Sequence, residues 1–133
     1  MQHILVAYDG GEPARRALET AVELATHFDA SIAIVSVVPR HPGRMPVDPW
    51  DDRPVHERQL AEAREIVARR GITPELIEPS GDPAQAIERV AEMGRFDTIV
   101  VGTRDQAALA RWFQGSVSTH VATHAQATVV IAR

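Results

Sequence analysis

The chain has 133 residues, one domain's length, with 44% apolar and 24% charged residues and a net charge of −4. It has no cysteine, which rules out a disulfide, a thiolate metal site or a cysteine nucleophile, and its acidic balance argues against a broad nucleic-acid-binding face. All 14 cationic side chains are Arg, so a phosphate-loop lysine and Schiff-base chemistry are both closed to it.

The chain opens with "HILVAY" (3–8), an apolar run that reads as a first strand rather than a signal peptide, since no basic n-region or cleavage site accompanies it. No stretch approaches the roughly 20 apolar residues of a membrane span, and the expected location is the cytoplasm. His3 is expected at an edge or on the surface. Residues 13–28 predict a helix with Ala14, Ala17, Leu18, Ala21, Ala25 and Phe28 on one face and Pro13 in its first turn. "SIAIVSVV" (31–38) predicts a second strand. "PRHPGRMPVDPWDDRP" (39–54) carries five prolines, which exclude helix or central strand. It reads as a variable crossover loop, with a lid or partner contact through Trp50 as the functional alternative.

Residues 55–70 predict a second helix with a narrow stripe of Leu60, Ala63 and Val67 and an otherwise solvated, charged face. "TPELIE" (73–78) predicts a third strand. A third helix over 83–93 buries Ala84, Ile87, Val90 and Ala91, with Asp82 as N-cap and Pro83 in the first position. "DTIVVG" (97–102) predicts a fourth strand. Trp112 and Phe113 read as an apolar plug in the connection that follows. A last helix (116–125) places Val117, Val121 and Ala125 on one side. Its His120 and His124 have a metal-compatible spacing but no evident third ligand, so they read as surface or capping residues. "ATVVIA" (127–132) predicts a fifth strand.

Four of these strands are apolar throughout, as strands covered on both faces are. Their alternation with helices implies right-handed βαβ units. The expected fold is α/β: a doubly wound five-stranded parallel sheet of order 3-2-1-4-5, helices on both faces, in a single domain spanning 1–133. Ligands bind such sheets off the carboxyl ends of the strands, here at the switch point between strands 1 and 4.

The residues at those ends suit an anion or nucleotide. Asp9 can accept from an adenine amino group or a ribose hydroxyl, or can bond its own backbone in a turn. Val37 can flank a flat base or fill the core. Gly102 leaves room for a sugar or phosphate, or merely turns the chain. Gly115 and Ser116 precede the last helix, where Ser116 can donate to a phosphate or cap, and the Val117 N–H adds a donor. Arg104 is a plausible counter-charge.

"HILVAYDGGEPARRALETAVELA", "SGDPAQAI", "FDTIVVGTRD" and "GSVSTHVATHAQATVVIAR" together resemble the universal stress protein family in order and spacing, with only 39–54 outside the match. The resemblance implies the same sheet, usually a homodimer paired through strand 5 (127–132), and a role in surviving starvation, oxidative or hypoxic stress; an unidentified protein partner is expected, and some members bind ATP. Those members carry G-x-x-G, nine residues, then G-(S/T). This chain has Gly102-Thr103-Arg104-Asp105, residues 106–114, then Gly115-Ser116, so the spacing is kept while Asp105 replaces a glycine. Ala7 stands where members often have proline beside the adenine, and Gly11 where serine is common.

Asp105 is the larger departure. A carboxylate about 4 Å from a phosphate oxygen costs roughly 4 kcal/mol at an effective dielectric near 20, about a thousandfold in affinity. A Mg²⁺ ion shared by Asp105 and the phosphates would reverse the sign. The expectation is a weakened or magnesium-dependent site for ATP, ADP or AMP. The alternative is a family member without nucleotide that acts as an interaction or protective module. Ser116 has no histidine placed beside it by spacing, so an enzyme (a slow ATPase or autokinase) ranks last.

Overall fold

The computed structural model describes residues 1–37, 53–81, 83–102 and 127–132. Its elements run β1 (His3–Ala7), α1 (Glu12–Phe28), β2 (Ser31–Val35), α2 (Arg53–Ala68), β3 (Glu75–Ile77), α3 (Pro83–Met93), β4 (Thr98–Gly102) and β5 (Thr128–Ala132). The strands form one sheet in the order β3-β2-β1-β4-β5, all pairs parallel. This is the doubly wound order read from the sequence. The expected last helix (116–125), with Val121, His120 and His124, lies outside the described residues, as do Trp50, Trp112, Phe113 and the capping residue Asp82. Among the described residues no helix is long and apolar enough to cross a membrane.

Strand alternation sorts the apolar residues onto two faces. Ile4, Val6, Tyr8, Ile32, Ile34 and Val100 pack beneath α1 and α2 with Ala17, Leu18, Ala21, Leu60, Ala63 and Val67. Leu5, Ala33, Val35, Ile99 and Val101 face the other way, against Ile87 and Ala91 of α3 and Phe96. Fully burying one Val, Leu or Ile contributes about 1.5–3 kcal/mol. The ion pairs Arg16–Glu12 and Arg69–Glu65 are solvent-exposed (46–73% by side chain), and such pairs give about 1 kcal/mol or less. The core therefore dominates stability.

Several expectations are corrected. Phe28 does not join the buried face of α1: it is 50% exposed and meets His27 edge-on. The helix runs past the sheet there, and Asp29 caps it in the left-handed conformation (φ 56°) to turn the chain into β2. Val22 is the buried residue the stripe lacked. β2 stops at Val35 rather than 38. β3 is three residues, not 73–78, because Pro74 and Pro79 flank it and neither can donate to a ladder. α2 begins at Arg53 and so takes in Pro54; a proline is tolerated in a first turn, where its missing N–H has no partner to lose.

His3 is neither on an edge strand nor simply at the surface. It lies on central β1, its ring stacked on Phe96 (centroids 4.2 Å apart, 4° between planes) and its Nδ1 hydrogen-bonded to Ser31 Oγ. Beside it, Asp97 binds the amino-terminal end of the sheet together. Its Oδ2 accepts the Gln2 N–H at 2.8 Å, and its Oδ1 accepts the His3 N–H at 3.3 Å and the Thr98 hydroxyl at 2.9 Å. Its own N–H donates to His3 O at 3.1 Å, and its carbonyl accepts the Thr128 N–H at 2.8 Å. Asp97 thus ties the starts of β1, β4 and β5.

Partial burial acts to raise the Asp97 pKa, but the donated bonds from Gln2, Thr98 and His3 outweigh it and hold the carboxyl below its ordinary 3.8. A depressed folded-state pKa stabilises above the unfolded value, and that stabilisation disappears as pH falls through the folded value. Asp97→Asn should therefore cost about 1 kcal/mol at neutral pH and flatten the acid limb of the stability curve below about pH 3.8. Urea melts of both proteins across the acid range measure this.

Candidate functional site

β1 leads to β2 on one side of itself, while β4 pairs on its other side. The carboxyl ends of β1 and β4 therefore flank a crevice at the switch point. Ala7, Asp9 and Gly102 lie at this crevice, and Val37 follows the neighbouring β2. Arg104, Asp105, Gly115, Ser116 and Val117, and with them the Mg²⁺ role expected of Asp105, lie outside the described residues.

Asp9 is exposed. Its Oδ1 accepts the Gly11 N–H at 2.9 Å, the turn role its residue type allows; Oδ2 has no hydrogen-bond partner among the described residues. The turn needs Gly10, whose φ is +84°. Gly11 then serves as the N-cap of α1 without a side-chain capping bond. Ala7, paired with Val35, and Val37 are both partly buried against the α3-side core. They form an apolar shoulder beside Asp9.

Gly102 has a more specific reason than room for a ligand or a turn. A Cβ built there would stand 1.9 Å from Pro13 O and 3.1 Å from Ala14 N. The first turn of α1 lies directly on the end of β4, an approach only glycine permits. The small buried residues Ala14 and Ala17 let the helix come that close.

A polar layer that sequence reasoning missed lies on the α1/α2 side of the strand ends. Tyr8 is buried, and its hydroxyl donates to Glu62 Oε1 at 3.0 Å; Arg15 Nη2 reaches the same oxygen at 2.8 Å. Burial pushes the Tyr8 hydroxyl above its ordinary value; Arg15 pulls it down and Glu62 adds to the rise. Ser36, 1% exposed, bonds through Oγ to His56 Nδ1 at 3.1 Å, and His56 is 8% exposed. His56 thus departs from the solvated face expected of α2. It lies four residues before Leu60 on the stripe continued by Ala63 and Val67, and that spacing was the available signal. Ser36 and His56 are a serine–histidine pair with both side chains buried. Among the described residues no group of three or more His, Asp or Glu is placed to hold a metal.

Comparison with known proteins agrees with this fold. The model of the family described as "Universal stress protein family" matches residues 1–133. A Thermus aquaticus relative, "Universal stress protein in QAH/OAS sulfhydrylase 3'region", is 32% identical, with 98% of this chain and 97% of that protein covered. The crystal structure of a universal stress protein family member from Burkholderia pseudomallei is 34% identical with a TM-score of 0.69, covering 98% of this chain and 94% of that one. The universal stress protein from Archaeoglobus fulgidus in complex with dAMP shares the fold at 24% identity and a TM-score of 0.71, over 100% of this chain and 98% of that one.

Gly102→Ala tests the packing role of the glycine. It should cost about 3 kcal/mol, the upper range for overpacking a dense contact, in a denaturant melt without any nucleotide. A variant as stable as the parent would return Gly102 to a purely ligand-related role.

Proposed function

This chain belongs to the universal stress protein family, and on that premise we propose that it is a cytoplasmic stress-response protein that binds an adenine nucleotide and acts as a homodimer. The reading is of a binding protein rather than a catalyst. The observation that carries it is the placement of Asp9, with one carboxylate oxygen committed to its turn, at the mouth of the β1–β4 switch point.

Asp9 would accept from the adenine amino group or a ribose hydroxyl, with Ala7 and Val37 against the base. Gly102, Arg104, Gly115, Ser116 and Val117 would surround ribose and phosphates, and Asp105 would oppose the phosphates or share a Mg²⁺ ion with them. The dAMP complex of the Archaeoglobus fulgidus protein supports an adenylate as the ligand class to test. A bound nucleotide would act by population shift, biasing a surface that a protein partner reads. The replacement of the motif glycine by Asp105 favours one second reading, a member that works through its protein surface without nucleotide.

Calorimetric titration with ATP, ADP and AMP, with and without Mg²⁺, decides between them. Asp9→Ala should weaken binding by about tenfold, the loss of one hydrogen bond to a polar ligand. Asp105→Gly should raise magnesium-free affinity, by up to about a thousandfold. No heat from any nucleotide under either condition leaves the protein-surface reading.

β5 supports the dimer. The Thr128 N–H bonds toward β4, so by strand alternation the N–H groups of Val129 and Ile131 point away from it. β5 is the terminal strand of the sheet on that side, and such edges pair with other chains. Val129→Pro removes an outward donor without touching the β4 ladder. In sedimentation it should convert a dimer to a monomer that still melts cooperatively; an unchanged dimer would place the interface elsewhere.

A further inference from the structure

The polar layer beside the crevice contains two unmatched atoms. His56 Nε2 and Gln59 Oε1 are both buried, and neither has a hydrogen-bond partner among the described residues. Three residues apart on α2, they share one face of the helix. Such atoms in native proteins are met by protein groups or by internal water.

The tautomer of His56 turns on the Ser36 contact. Ser36 Oγ and His56 Nδ1 lie 3.1 Å apart, and which of them donates is set by that tautomer. A neutral imidazole that accepts at Nδ1 carries its proton on Nε2. One turn along α2, Gln59 presents a carbonyl oxygen. With the Ser36 hydroxyl as donor, His56 Nε2–H and Gln59 Oε1 are a buried donor and a buried acceptor, the two partners that one water molecule bridges.

Gln59 connects this pair to the crevice. Its side chain packs over Gly10 on the side where a Cβ would stand, with Nε2 3.2 Å and Cγ 3.3 Å from that position. Gly10 is the left-handed residue of the turn that presents Asp9. We propose that one internal water bridges His56 Nε2–H and Gln59 Oε1, and that these two side chains are positioning residues for the 9–11 turn. The chain of contacts runs from Ser36 at the end of β2, through His56, the water and Gln59, to Gly10. Its consequence for ligand binding rests on Asp9 being a nucleotide contact; the water itself is tested on the protein alone.

The experiment is NMR on the full ¹⁵N-labelled chain without nucleotide. Long-range ¹H–¹⁵N spectra should place the His56 proton on Nε2, and that proton should show a cross-peak to a long-lived water. Gln59→Met, which keeps the length of the side chain and removes its amide, should abolish the cross-peak and shift the Gly10 and Gly11 amide resonances. A proton on Nδ1, an Nε2 proton with no water contact, or Gly10 and Gly11 amides unmoved in the variant would each overturn the proposal. If Gln59→Met fails to fold, the spectra of the unaltered chain decide.

Discussion

The contact between Pro13 and Gly102 sets the geometry of the crevice. The first turn of α1 rests on the end of β4 with no space for a single carbon between them. This fixes where α1 begins relative to the sheet, and so fixes the two-glycine turn that joins it to β1. Asp9 is presented by that turn and has little freedom of its own, because one oxygen is committed to the Gly11 N–H. Moving α1 outward by the width of a methyl group would displace the turn, the carboxylate and the buried alanines of the helix together. A glycine that a motif assigns to a ligand is here also a packing residue, and its presence alone says little about what is bound.

The two ends of the sheet are built differently. At the amino-terminal end, Asp97 gathers main-chain and side-chain bonds from three strands, and His3 and Phe96 stack beside it. At the carboxyl end, the layer of Tyr8, Arg15, Ser36, His56 and Glu62 replaces apolar packing with directional bonds on one side of the sheet. Long-range hydrogen bonds join three strands at the first end and tie the residues after β1 and β2 to the helices at the second.

The fold was largely legible because its signals are local. Apolar runs covered on both faces marked the strands, and their alternation with amphipathic segments implied the sheet order. Errors came where a local rule met a tertiary fact. Phe28 continued the stripe of α1 on paper, but the sheet ends before the helix does. β3 looked like six residues until Pro74 and Pro79 trimmed it. Of the candidate site, Asp9 was readable as a polar residue at the switch point. The reason for Gly102 was not, because Pro13 is 89 positions away in the chain and meets it only after folding. Tyr8 with Glu62 and Ser36 with His56 are likewise pairings across 54 and 20 positions, invisible to any periodicity, although the stripe through Leu60 did point His56 inward.

The short β3 has a consequence for how far this sheet can grow. A three-residue ladder between two prolines, with an exposed Glu75, is a poor template for a further strand. At the opposite border, β5 is five residues long and has no charged side chain. Of the two borders, β5 is the better template for a further strand. A second copy added at β5 would present its own short β3 border outward, so association by this route ends at a pair and cannot run on into a filament.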